Sequence, residues 1–477
     1  MNLKQFFKEI SIYGMLPLIG KFIGFFLIPI YVRVFSTYEY GIVELVLTLI
    51  QFLMFACNLE FYSAIGRFFY DKPDIVNRKK LISTGLYLTL FFSMITLLIV
   101  FLLKDAIMIH YFQSGEYYHL MKVGLVWMVL SATYTYLGVI PRYDKKPKLY
   151  VIITTISLLS RVLATILFVL YFKVGIIGVL YGHIVGSATA LILNLFISKK
   201  YIGLVFSIKE AKKIMKFAIP IVPGLLLVGF WQPWSRTLIA NYFSIGEVGV
   251  FSFALRITSI LLMFSGAIRM AWRPLLFENL SSPDFIQRCN KISKTLGLLL
   301  FSALSIFILA TPEIVKLIGT KEYYGSYKMI GFLALNGVLE VLAQIRGFGP
   351  LTKDKTYLIT LSQIVSIGVG GLFLMFVKDS LGLTGVGITF FLTGAINFLI
   401  LTIYTNHSYK TPIIYKNEFY ALLFVIISIT TMQFTDSLKL RIIYLSIFIV
   451  TTILLNRKTV IKLVIDNYYK TIQHHKG

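Results

Sequence analysis

The sequence predicts an all-α integral membrane protein of about fourteen transmembrane helices, and three observations carry that expectation. Of its 477 residues 57% are hydrophobic and only 14% charged, against about 25% charged in ordinary soluble chains; the mean hydropathy is +0.81. The apolar residues fall in runs of about 20, the length with which an α-helix crosses roughly 30 Å of hydrocarbon. Alternation at period two, the mark of a membrane β-barrel, is absent from the sequence.

The first apolar stretch, near 10–32, is too long for the core of a secretory signal and is followed by no small-residue cleavage site, so it reads as the first span. Further spans are expected at about 40–62, 82–103, 119–140, 149–170, 175–197, 214–235, 248–270, 295–315, 329–349, 357–377, 382–404, 419–435 and 441–456. The seventh is interrupted by Pro220, Pro223 and Pro233, and the last two are short. The loops between spans leave no room on either face for a soluble catalytic domain. Two basic amphipathic stretches, 207–217 and 457–472, are expected to lie along the membrane surface. Cys57 falls in an apolar run and Cys289 in a basic loop, a pattern that suggests neither a disulfide framework nor a metal site.

The net charge of +25 would point to nucleic acid in a soluble protein. Here the basic residues are spread over many short loops and not gathered on one face, so no nucleic-acid partner is expected. Sorting the loops alternately places the large majority of Lys and Arg on the side that holds the N-terminus. By the positive-inside rule that side is cytoplasmic, and with an even number of spans both termini lie there.

An internal repeat runs through the chain. Phe35–Gly41 (FSTYEYG) and Phe243–Gly249 (FSIGEVG) each follow one span and enter the next. Lys146–Tyr150 (KPKLY) matches Lys353–Tyr357 (KDKTY), and Gly175–Val179 (GIIGV) matches Gly382–Val386 (GLTGV), at nearly the same offset. Six spans separate the copies, so both have the same orientation, related by an axis along the membrane normal as in transporters built from parallel repeats. The expected organisation is a six-helix lobe over 1–200, a second over 201–404, and two extra helices with a tail over 405–477.

Charges near the bilayer centre are costly and usually face a cavity or a partner. Lys21 lies about ten residues from either end of its span, too deep to reach an interface, with Gly14, Pro17 and Gly24 on its face. Arg161 shares a face with Thr154, Ser157, Ala164 and Thr165, opposite Ile152, Ile156, Leu159, Val162 and Leu163. Arg256 lines up with Ser252 and Ser259. Arg33 and Arg236, at the outer ends of the first and seventh spans, read either as interface anchors or as further cavity cations. Among fewer acidic or titratable groups, Glu340, Glu44 and His183 are candidates for coupling to an ion or proton, or for pairing with an interior cation. An interior richer in cations than anions favours an anionic substrate, since guanidinium pairs well with phosphate.

No nucleotide-binding P-loop, H-E-x-x-H, G-x-S-x-G or paired-Cys motif is present, so neither an enzyme nor a resident cofactor is expected.

The opening Ile12–Val46, with its span closing on Pro29 and the entry Glu39-Tyr40-Gly41 into the next, resembles the Wzx-type polysaccharide flippases of the multidrug/oligosaccharidyl-lipid/polysaccharide (MOP) exporter superfamily. Phe217–Pro223 (FAIPIVP) and Ala271–Pro274 (AWRP) are similar to that family's seventh span and the segment after its eighth. The resemblance implies a MATE-like fold and translocation of an undecaprenyl-diphosphate-linked oligosaccharide across the cytoplasmic (inner) membrane, for O-antigen or capsule assembly. It implies membrane lipids, a polysaccharide polymerase and a chain-length regulator as partners. It further implies interior cations that hold the diphosphate, for which Lys21, Arg161 and Arg256 are candidates by placement. Two other readings stand beside it: an ion-coupled exporter of small molecules on the same fold, and a membrane glycosyltransferase or polymerase.

Overall fold

The computed structural model describes residues 26–455, apart from 72, 73, 145, 266, 267, 269–271, 273–275, 277–279, 281, 435 and 436. Lys21 and the basic stretch 457–472 lie outside the described residues. Among the described residues the regular structure is entirely helical, and nine helical stretches are long and apolar enough to cross a membrane.

The chain divides into two compact units, one built on residues up to 256 together with 318–323, the other on 257–317 and residues from 324 onward. The first begins with α1 (Leu27–Val34) and α2 (Thr37–Asn58). Ser36 starts α2 with a reciprocal cap: its Oγ accepts from the Glu39 N–H at 3.2 Å, and its own N–H donates to Glu39 Oε2 at 2.9 Å, so two otherwise orphaned donors are satisfied at once. The second span was expected to run to residue 62. Instead Leu59 and Glu60 both turn left-handed, with φ of 39° and 59°, and the chain resumes as α3 (Phe61–Phe68). Two successive non-glycine residues in that region cost about 1–2 kcal/mol each, which the surroundings must offset.

Helices α4 (Ile75–Leu102), α5 (Tyr118–Leu137), α6 (Pro147–Ile166) and α7 (Ile177–Ser198) complete the first set of spans. The lipid side assigned to α6 from sequence is exposed at Ile152, Ile156, Leu159 and Leu163, whereas Val162 is buried. In a lipid solvent such an apolar surface needs no further cover. The amphipathic stretch near 207–217 forms α8 (Ile208–Ala218). It buries Ala211, Ile214 and Ala218, exposes Lys209, Lys212 and Lys216, and fastens Lys213 to Asp71 at 2.8 Å.

The seventh span begins later than expected, as α9 (Val222–Tyr242). Pro220 falls in a 3-10 turn over Ile219–Ile221, and Pro223 lies in the first turn of α9, where its missing N–H would have had no partner anyway. Pro233 alone interrupts the helix interior. Helix α10 (Ile245–Leu261) follows.

The second unit contains α11 (Phe285–Ile318), α12 (Tyr327–Arg346), α13 (Tyr357–Tyr409), α14 (Lys416–Phe434) and α15 (Leu438–Leu455). A core joins α11, α12, α13 and α14 through Leu304, Ile308, Val338, Leu342, Leu401 and Val425. Cys289, expected in a loop, is buried within α11. Helix α13 is two spans meeting at Gly382, whose φ of +51° breaks the helix between the positions expected for the eleventh and twelfth spans.

The repeated segments share their local structure. Gly175, which matches Gly382, likewise has positive φ (+75°). Ser244 accepts from the Glu247 N–H at 3.2 Å, as Ser36 does from Glu39. These equivalences explain two of the sequence matches: a capping serine and acid, and a glycine free to take positive φ, recur because the same bends recur.

Candidate functional site

Glu44 stands on α2, 4% exposed, in a stretch where nearly every side chain is buried. Its carboxylate accepts from Arg236 Nη2 of α9 at 3.4 Å and from Arg256 of α10 through Nε at 3.0 Å and Nη2. Arg236 is itself 5% exposed. It also donates to Gln232 Oε1 at 2.8 Å and lies over the Phe251 ring at 5.8 Å. Of the two roles left open for Arg236, an anchor at the interface does not fit this burial. Two guanidinium groups meet one carboxylate, so these three side chains by themselves sum to one positive charge. At an effective dielectric near 20, opposite charges about 4 Å apart attract by about 4 kcal/mol, enough to hold the trio together.

Arg161 is set by close helix packing. On α7, a side chain at Gly186 would press on Arg161 Cβ at 2.7 Å, and one at Gly182 would collide with Thr165. The absence of both lets α6 and α7 approach, and Ser157 Oγ donates to the Gly186 carbonyl at 2.8 Å. Arg161 Nε is buried without a hydrogen-bond partner, and its charge acts on Tyr31, Tyr134 and Arg256. A donor left open in this way is costly unless something occupies it. His183, on α7, packs its ring against Trp127 at 4.4 Å and feels both Arg161 and Arg256. The first unit therefore gathers Glu44, Arg161, His183, Arg236 and Arg256 into one positively charged neighbourhood.

Arg33 lies at the exposed end of α1. Glu340 belongs to the other unit, on α12, where it accepts from Asn397 Nδ2 at 3.1 and 3.3 Å; Asn397 in turn accepts from Ser362 at 2.8 Å.

Two ion pairs with buried arginines, one of them buried on both sides, escaped the sequence reading, which sorted their cations onto the loops. Arg346 at the end of α12 donates to both Glu418 oxygens at 2.7 Å, to Ser293 Oγ at 2.8 Å and to the Ile413 carbonyl at 2.8 Å. Arg441 on α15 pairs with Glu313 and donates to the Leu309 carbonyl at 2.9 Å. Each joins helices far apart in sequence, and no local pattern marks the partner. Joining distant helices as they do, they read as structural clamps.

Among the described residues the molecule is helical and multi-pass, and it shares its fold with solved membrane transporters. It is similar to the lipid II flippase MurJ in an inward closed conformation (TM-score 0.71, 14% identity, covering 94% of this chain and 100% of that one). It is also similar to multidrug resistance MATE family transporters. With an inward-facing one the TM-score is 0.68 at 13% identity, over 82% of this chain and 94% of the other. With an outward-facing one it is 0.57 at 16% identity, over 86% and 96%. No curated protein matches the sequence. The family model for polysaccharide biosynthesis proteins matches residues 6–280, and the chain belongs to that family.

Proposed function

We propose that the chain is a flippase that carries an undecaprenyl-diphosphate-linked oligosaccharide from the inner to the outer leaflet of the cytoplasmic membrane, for surface polysaccharide assembly. The supporting observation is Arg161, whose Nε is buried without a partner, beside the Glu44, Arg236 and Arg256 cluster. A diphosphate would supply an acceptor for that donor and negative charge beside the guanidinium groups. Family membership points to the same class of substrate. Lys21, Arg161, Arg256 and Arg236 would hold the diphosphate, with Arg33 meeting it at the outer end of α1 and His183, Glu44 or Glu340 free to couple an ion. Two six-helix lobes, over 1–200 and 201–404, would rock about the bound head group while the polyprenyl tail stays in lipid. In this reading both termini are cytoplasmic, a polymerase and a chain-length regulator act on the product, and the chain itself catalyses no covalent step.

The test replaces Arg161 and Arg256 singly by Ala in cells that depend on this flippase for surface polysaccharide. Loss of polysaccharide with normal membrane levels of each variant is expected. Normal polysaccharide from both would remove the cationic site from the mechanism. Likeness to MATE transporters keeps a small-molecule exporter as the second reading. Changed drug susceptibility with intact polysaccharide on deletion would favour it.

A further inference from the structure

Where α2 breaks, the first unit contains a cavity of about 310 Å³. Its polar and aromatic wall is Gln51, Phe55, Asn58, Glu60, Tyr62 and Thr135, completed by aliphatic side chains, and no lysine or arginine among the described residues lines it. The described wall offers a diphosphate no cation. The composition instead suits a compact neutral ligand rich in hydroxyls: amides, a hydroxyl and a carboxylate for its O–H groups, ring faces and aliphatic carbon for its C–H surfaces. The volume sits at the small end of ligand pockets, which run from about 300 to 1,000 Å³, room for a sugar ring and not for a chain of them.

Glu60 is built into this wall at some expense. It and Leu59 are held left-handed, a strain that persists only where the surroundings over-determine it and that gathers at ligand sites. One carboxylate oxygen accepts from the Tyr62 hydroxyl and the other from Ser63 Oγ. Each oxygen has two acceptor positions, so fixing the side chain leaves one on each for a ligand. Asn58 donates to the Met54 carbonyl at 3.2 Å, and its Oδ1 accepts nothing. Glu44, Gln51, Phe55 and Asn58 recur at helical spacing on one face of α2, and Gln51 lies about 10 Å along the axis from Glu44. Sugars attached to a diphosphate held at the arginines would be carried along this face.

We propose that the cavity is a subsite for one uncharged monosaccharide unit of the lipid-linked substrate, a proposal that rests on the flippase reading above. Glu60 and Gln51 bind its hydroxyls, and Phe55 and Tyr62 cover its apolar faces. The cavity thereby selects which glycan is carried, while the arginines hold what every such lipid shares.

The test measures equilibrium binding of the purified full chain, in lipid nanodiscs, to undecaprenyl diphosphate and to undecaprenyl-diphosphate-linked glucose and N-acetylglucosamine. Wild type is expected to bind at least one glycosylated lipid more tightly than the bare one. Glu60→Gln and Gln51→Leu should each weaken that binding about tenfold and leave undecaprenyl diphosphate unaffected. Gln51 is exposed on α2, so its exchange reports on binding even where Glu60→Gln disturbs the bend. Equal wild-type binding of bare and glycosylated lipids would overturn the subsite, as would variants that weaken all three lipids alike. Failure of wild type to bind any of the three would overturn the flippase reading itself and the subsite with it.

Discussion

Gly41 and Gly249 hold matching places in the two copies of the repeated segment, and each packs against the backbone of the other copy. A side chain at Gly41 would collide with the Ile245 carbonyl and one at Gly249 with the Thr37 carbonyl. Thr37 and Ile245 are themselves repeat partners, so the contact is reciprocal: the capped starts of α2 and α10 cross with almost nothing between them. The glycines in FSTYEYG and FSIGEVG are there for this approach.

Gly41→Ala and Gly249→Ala should each lower stability by about 1–3 kcal/mol, the usual effect of forcing a methyl group into a packed contact. Because both push apart the same crossing, the double variant should lose less than the sum of the two. Thermal unfolding of the purified chain measures this, and additive losses would contradict a shared contact.

Replacing Glu44 by Gln takes the carboxylate away from the buried Arg236 and the partly exposed Arg256. Removing one partner of a buried ion pair typically costs about 3–5 kcal/mol. The same change raises the positive charge of the trio, so the variant should melt earlier yet bind undecaprenyl diphosphate more tightly. Adding Arg236→Gln should restore part of the stability. Melting curves and lipid binding on the same preparations separate the two effects.

Arg346→Ala should destabilise by about 3–5 kcal/mol through the stranded Glu418, and Glu418→Gln should do so less, because an amide still accepts from the guanidinium. Neither should alter the affinity of the folded fraction for undecaprenyl diphosphate. A change in that affinity would move the pair from clamp to site.

Asp144, in the turn between α5 and α6, gives a pH-dependent case. Burial alone would push its carboxyl up, but a hydrogen bond from Tyr201 and the ammonium groups of Lys146 at 3.0 Å and Lys200 at 3.2 Å outweigh it and hold it below the usual range. A carboxyl depressed in the folded state stabilises fully above its unfolded value, about 3.9, and loses that contribution as pH falls through the folded value. Wild type should therefore be more stable than Asp144→Asn near neutrality, and the gap should close as the pH drops below about 4. A gap constant with pH would show that the ionised form is not what matters.

Most of the fold was legible because lipid imposes length and apolarity on every span, and those survive in sequence. Among the described residues, thirteen expected spans overlap helices or helix segments, and the described part of the first is helical too. What displaced boundaries was backbone conformation: nothing in the side chains of Leu59 and Glu60 announces a left-handed pair, and Pro220 could be read as breaking a span when it precedes one. The site was legible in its parts and not in its connections. Arg161, Arg236, Arg256 and Glu44 stand out as charges in apolar runs, but their association depends on how α2, α9 and α10 pack, and positions 44 and 236 lie 192 residues apart. Arg346 and Arg441 were misplaced for the converse reason: at the end of a span, a buried arginine and an interfacial one look the same.

Glu44, Arg236 and Arg256 by themselves sum to one positive charge, and this has an electrical consequence. One elementary charge crossing a 100 mV potential exchanges about 2.3 kcal/mol, and the cytoplasmic side of an energised membrane is negative. The diphosphate head group proposed above would thus be expelled downhill, while any arginines that travel with it would subtract from the voltage it senses. Liposomes clamped at opposite polarities should differ in outward flux, and exchanging Glu44 for Gln should shrink that difference.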